Sequence, residues 1–144
     1  MTALMDIEIA LVQRVSMLRL GTAGAFKTID GLAGPGTSRV VEHVGGRLKP
    51  AALVRYLGRK RGSSGEPACV SLFVVCESLR GGGEARTGGD GVTGAHQLLD
   101  LLRGALDGTT LLCGCRLAFS SEEAVAADDR VVVFQQTYTV EEAP

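Results

Sequence analysis

Large aromatic side chains are nearly missing from this 144-residue chain: there is no tryptophan, and aromatics amount to 4%. The core cannot be organised around stacked rings and must rest on Val, Leu, Ile and Ala. Proline is scarce at four residues, histidine at two. No apolar run approaches the roughly 20 residues that a membrane span requires. Asp6 and Glu8 interrupt the first apolar residues and no basic stretch precedes them, so no signal peptide is expected. The resulting expectation is a soluble protein made in the cytoplasm. Neither sign of charge dominates, and a net charge of -1 argues against broad nucleic-acid binding.

What is present bounds the rest. Hydrophobic residues reach 45%, which excludes a disordered chain. The length suits a single domain spanning residues 1–144 with a real core. Glycine, at 20 residues, is about twice its usual share and falls mostly outside the apolar runs, which implies long connections. Charge is divided unevenly along the chain. Residues 1–72 carry ten Lys/Arg against five Asp/Glu, and residues 73–144 carry five against eleven. Such polarity suits either a subunit whose one side meets the other side of a neighbour, or two solvated faces. The four cysteines lie in apolar, strand-like surroundings. Cys69 and Cys76 would face opposite sides of one strand, and Cys113 and Cys115 are badly placed to bridge. Buried free thiols are expected.

Residues 2–20 place Leu4, Ile7, Leu11, Val15 and Leu18 at helical spacing, with acids early and Arg14 and Arg19 late. Gly21 is the expected stop. Ala25 to Asp30 alternates as a short strand. Ser38 heads a weak helical pattern through Leu48, and Pro50 ends it. Ala51 to Leu57 fits a helix or a strand. Residues 58–67 read as a flexible connection, a hairpin tip if both flanks are strands, carrying Arg59, Lys60 and Arg61. Residues 68–79 are an apolar run that reads as a buried strand. Residues 80–93 are a glycine-rich loop with Arg80 and Arg86. Gly94 to Leu106 is an amphipathic helix, with Leu98, Leu99, Leu102 and Leu106 facing the core and Gly108 stopping it. Leu111 to Phe119 reads as a strand, 120–129 as an acidic loop, Arg130 to Val140 as a strand, and 141–144 as a tail. These segments predict an α+β domain with a largely antiparallel sheet, roughly four to five strands with two to three helices packed on it.

Gly89 to Gly94 has the glycine spacing of a dinucleotide-binding turn before a helix. The preceding strand ends near Leu79, too far for a tight turn, and Asp107 lies on the same helix rather than after a second strand. Gly83 to Gly88 has P-loop glycine spacing, but Gly89-Asp90 stands where Lys and Ser/Thr are needed. His43 and His96 have no cysteine or carboxylate at metal-ligand spacing. Thiols in apolar runs are poor nucleophiles, because burial raises their pKa. No set of residues assembles a reaction, so no enzyme, cofactor or metal is expected. Arg59, Lys60, Arg61, Arg80 and Arg86 are instead candidate protein-interface residues, cations on arms that can order against an acidic partner.

The order of segments resembles the small tail proteins of Mu-like bacteriophages, the Mu gp37-like family of tail terminator or tail completion proteins. The residues that carry the resemblance are the first helix from Asp6-Ile7-Glu8 to Leu18, then Phe26-Lys27-Thr28-Ile29-Asp30 and Pro50-Ala51-Ala52-Leu53-Val54. With them stand the strand from Leu72 to Gly81 and Gly94-Ala95-His96-Gln97-Leu98-Leu99-Asp100 after a glycine-rich loop. The chain departs from the pattern at His96, where Tyr is more usual, and at the acidic stretch 120–129.

The resemblance implies that Ala51–Leu57 is a strand paired with 68–79. It implies a homo-oligomeric ring, a hexamer, that caps the tail tube, ends its polymerisation and joins the head-side connector. The partners so implied are the chain itself, the tail tube protein, the sheath protein and the head-tail connector proteins. The genome would pass through the lumen without sequence-specific contact, and the location would be the virion neck after assembly in the host cytoplasm. Two alternatives remain: a head-tail adaptor without the terminator role, and a nucleotide-binding enzyme using Gly89–Gly94.

Overall fold

The structure is a computed structural model that describes residues 4–20, 23–31, 50–59, 68–77, 94–111, 114–127 and 131–142. Helix α1 spans Leu4–Ser16, and two-residue strands β1 (Arg19–Leu20) and β2 (Ala23–Gly24) form a small antiparallel ribbon. Strands β3 (Thr28–Gly31), β4 (Ala51–Arg59) and β5 (Ala68–Glu77) follow, then helix α2 (Ala95–Leu106). Strands β6 (Cys115–Ala127) and β7 (Val131–Glu142) complete the chain. The fold is α+β, a mixed five-stranded sheet in the order β3-β4-β5-β7-β6 with two described helices. Every pairing in it is antiparallel except β3 with β4. The pattern through Ser38–Leu48 and the loop 80–93 lie outside the described residues.

Period-two alternation gives the sheet two apolar faces. Val70, Leu72, Val74 and Cys76 of β5 share a face with Val132, Phe134, Tyr138 and Val140 of β7 and with Ala52 and Val54 of β4. Onto this face α1 lays Ile7, Ala10, Leu11 and Val15, and α2 lays Leu98, Leu99, Leu102 and Leu106. Each such leucine contributes roughly 1.5–3 kcal/mol by leaving water. The opposite face carries a smaller cluster of Ala51, Leu53, Phe73, Val75 and Val133. A central strand buried on both faces accounts for the unbroken apolar run in β5.

Several boundaries differ from expectation. Helix α1 ends at Ser16 rather than Gly21. The Ser16 hydroxyl turns back to the Gln13 carbonyl at 2.7 Å, and Met17 and Leu18 donate to Arg14 and Val15, three residues back. The short strand begins at Thr28 rather than Ala25, because Ala25 donates to Leu18 and extends the β1–β2 ribbon instead. The acidic stretch from Ser120 to Ala127 is strand, not loop. Ser, Glu and Ala have little β-propensity of their own, but β7 supplies partners for Ser121 to Ala124 and for Ala126 and Ala127. The tail at 141–144 is likewise paired as far as Glu142, with Arg116 directly opposite Glu141.

Helix α2 opens at Gly94 without a side-chain cap and closes firmly. The Asp107 amide donates to Arg103, and Gly108, at φ 78°, reverses the chain so that its amide reaches the Leu117 carbonyl at 2.8 Å. A second reversal at Gly114 (φ 91°) lets Leu111 donate to Cys115, so the strand expected from Leu111 starts at Cys115.

Candidate interaction surface

Of the five cations singled out in the sequence, Arg59 alone lies within the described residues. It is the last residue of β4, opposite Ala68, which is itself opposite Val140. The strand therefore runs beyond the expected start of the connection at residue 58, helped by a register shift between Tyr56 and Gly58. This places Arg59 at the end of the sheet where β5 begins and β7 approaches its close. Lys60, Arg61, Arg80 and Arg86 fall outside the described residues. So do residues 89–93 of the glycine motif; its last glycine, Gly94, is buried at the start of α2.

Sequence reasoning missed the polar cluster under α2. Gln136 is fully buried in the middle of β7's inward row. Its amide nitrogen donates to the Leu99 carbonyl of α2 at 2.8 Å and to Glu122 Oε1 of β6 at 2.7 Å. Its amide oxygen accepts from the Tyr138 hydroxyl at 2.8 Å. Three elements are thus tied to one side chain. Burial raises the Tyr138 pKa most, the Asp107 and Glu122 carboxylates add to the rise, and Arg103 opposes it. The phenol is therefore held as a proton donor. Phe119 packs edge-on against Tyr138 at 5.8 Å, and the Arg103 guanidinium covers Phe119 at 4.0 Å. The signal in the sequence was one polar residue breaking the row Val132, Phe134, Gln136, Tyr138, Val140.

On the other face Gln135 donates to Ser71 at 2.8 Å, and the Ser71 and Thr137 hydroxyls lie 3.0 Å apart. Arg55 stacks over Phe73 at 5.3 Å. At the helix ends, Arg14 of α1 donates to the Ala105 carbonyl near the C-terminus of α2, where the helix dipole favours a cation. Its Nε is buried and finds no hydrogen-bond partner among the described residues.

The Cys76 thiol is pushed up to about 12 by burial, so it is protonated and unreactive at neutral pH. Cys69, Cys76 and Cys115 are free thiols, and Cys113 lies outside the described residues. Exposed His96 packs edge-on against Phe134 at 5.6 Å. Among the described residues no group of three His, Cys, Asp or Glu could hold a metal ion, and no helix is long and apolar enough to cross a membrane. The chain matches no protein-family model and no curated protein.

Proposed function

We propose that this chain is a structural, non-enzymatic protein of a tailed bacteriophage, a ring-forming subunit that caps the tail tube, ends its polymerisation and offers a surface for head-tail joining. The observation that carries the reading is the order of elements. A first helix, a short strand, the β4–β5 hairpin and a second helix opening on Gly94-Ala95-His96-Gln97-Leu98-Leu99 follow the segments on which the resemblance to the Mu gp37-like family rests. The mechanism is steric and electrostatic: copies contact head to tail until the ring closes, with one ring face complementary to the tube and the other to the neck. The partners are further copies of the chain, six in the ring, together with tube, sheath and connector proteins. Arg59, Lys60, Arg61, Arg80 and Arg86 supply the positive contacts.

Native mass spectrometry over a range of concentrations, alone and with tube protein, tests the reading. A closed ring is expected, and a strict monomer under both conditions refutes it. Reversing Arg59, Lys60 and Arg61 together to glutamate is expected to leave the circular dichroism spectrum unchanged while impairing tail assembly. Normal tail length and infectivity would remove these cations from the contact surface.

A further inference from the structure

The two edges of the five-stranded sheet come from halves of the chain that differ in charge. β3 forms one edge and belongs to the half of the chain with ten Lys/Arg against five Asp/Glu. β6 forms the other and belongs to the half with five against eleven. Exposed Lys27 immediately precedes β3, and exposed Arg19 lies in the ribbon that leads towards it. The one acid within β3, Asp30, is half-buried and engaged within its own chain.

Among the described residues, the outer edge of β6 is covered only at its start. Gly108 donates to the Leu117 carbonyl, Leu117 donates to Thr109, and the Phe119 amide is held by Asp107 Oδ1 at 2.9 Å. Beyond Phe119 no described strand pairs with this edge, and Ser120, Ser121, Glu122, Glu123 and Ala124 are all exposed. Register shifts between Phe119 and Ser121 and between Ala124 and Ala126 isolate a regular stretch, Ser121–Ala124. That stretch matches the 4 residues of β3.

We propose that Ser121–Ala124 of β6 meets β3 of a second copy of this chain edge to edge and head to tail, with Glu123 facing Lys27 of the next subunit. Exposed Lys27 beside β3 and exposed Glu123 in β6 are opposite in charge, and the two stretches are matched in length. β6 meeting β6 of another copy would instead set Glu122 and Glu123 against their own kind, which is destabilising. The flanking bulges and the two glutamates keep the edge from pairing indiscriminately. A head-to-tail contact uses each edge once and leaves none over when it closes. The inference rests on the ring reading for that closure, and on the sheet alone for the contact.

Charge reversal tests it. S121K/E123K leaves the Glu122–Gln136 hydrogen bond in place and makes both edges basic, whereas R19E/K27E makes both acidic. All four positions are exposed. Each variant alone is expected to associate at least about tenfold more weakly than wild type in sedimentation velocity. An equimolar mixture is expected to recover assembly, since each variant then supplies the edge the other lacks. In hydrogen exchange of the wild type, the amides of 121–124 and 28–31 are expected to slow as the protein is concentrated. Association of both variants at wild-type strength, or unchanged exchange in an assembled wild type, overturns the edge contact and leaves the ring reading standing. A wild type that stays monomeric at every concentration, with and without tube protein, overturns both.

Discussion

Replacing Gln136 with leucine should be far more costly than its chemistry suggests, and the cost should depend on Tyr138. Leucine is close in volume and apolar, so transfer from water alone would favour Gln136→Leu at a fully buried site. The loss arises in the groups left behind. Tyr138, also fully buried, would keep a hydroxyl whose hydrogen bond to Gln136 at 2.8 Å has gone, an orphan costing about 1–3 kcal/mol. The Leu99 carbonyl and exposed Glu122 would lose a shared donor, and the tie between α2, β6 and β7 would go with it. The expected total is about 2–4 kcal/mol. Tyr138→Phe alone strands the amide oxygen of Gln136 and should cost about 1–2 kcal/mol. The double variant removes both members of the pair, so it should be at least about 1 kcal/mol more stable than the sum of the single losses. Urea unfolding followed by circular dichroism measures all four proteins. Strict additivity, or a loss below about 0.5 kcal/mol for Gln136→Leu, would show that the cluster does not couple the three elements.

Further outcomes concern pH and two glycines. Cys76 has its folded pKa raised from 9.0 to about 12, and Tyr138 is raised from 10.0. Both contributions are therefore fully present below pH 9 and are lost as pH rises above the unfolded values, each by up to about 1.4 kcal/mol per pH unit. Urea midpoints between pH 8 and pH 10.5 should fall, and Cys76→Ala should flatten the fall; an unchanged slope would exclude the thiol as its source. Gly104→Ala, mid-helix with open space around it, should stabilise by about 0.5–1 kcal/mol. Gly108→Ala, at φ 78°, should destabilise by about 1 kcal/mol, and thermal melts giving the same sign for both would contradict the backbone geometry.

The elements legible in the sequence were those whose pattern is local. The leucines of α2 recur at helical spacing and Gly108 ends the helix as expected, while the β5 run has no alternative to a buried strand. β4 was ambiguous because Leu53, Val54 and Leu57 satisfy both periods; only pairing with β5 decides it. The second half of β6 was illegible for the same reason in stronger form. Ser-Ser-Glu-Glu-Ala carries no strand signal, and its conformation comes from β7, whose Val, Phe, Thr and Tyr supply the β-propensity for both strands. Charge runs located the cations but not their setting, and Arg59 proved to end a strand rather than open a loop. Gln136 was visible as a polar break in an apolar row, but its partners lie on three elements that no spacing rule connects.

The seam between β5 and β7 has a consequence for how the chain folds. β4 with β5 and β6 with β7 are hairpins, each joined through a connection far shorter than the strands' separation from the other pair. Their contacts are local and close quickly. The seam that unites them pairs Ala68 with Val140 and Glu77 with Val131, residues far apart in sequence, and loop-closure entropy opposes it until both hairpins and their helices are in place. Docking of the two preformed halves along β5 and β7 is thus expected to be the slow step. Substitutions that weaken either hairpin, formed before docking, should slow folding, while those at the seam, such as at Leu72 opposite Gln136, should also speed unfolding.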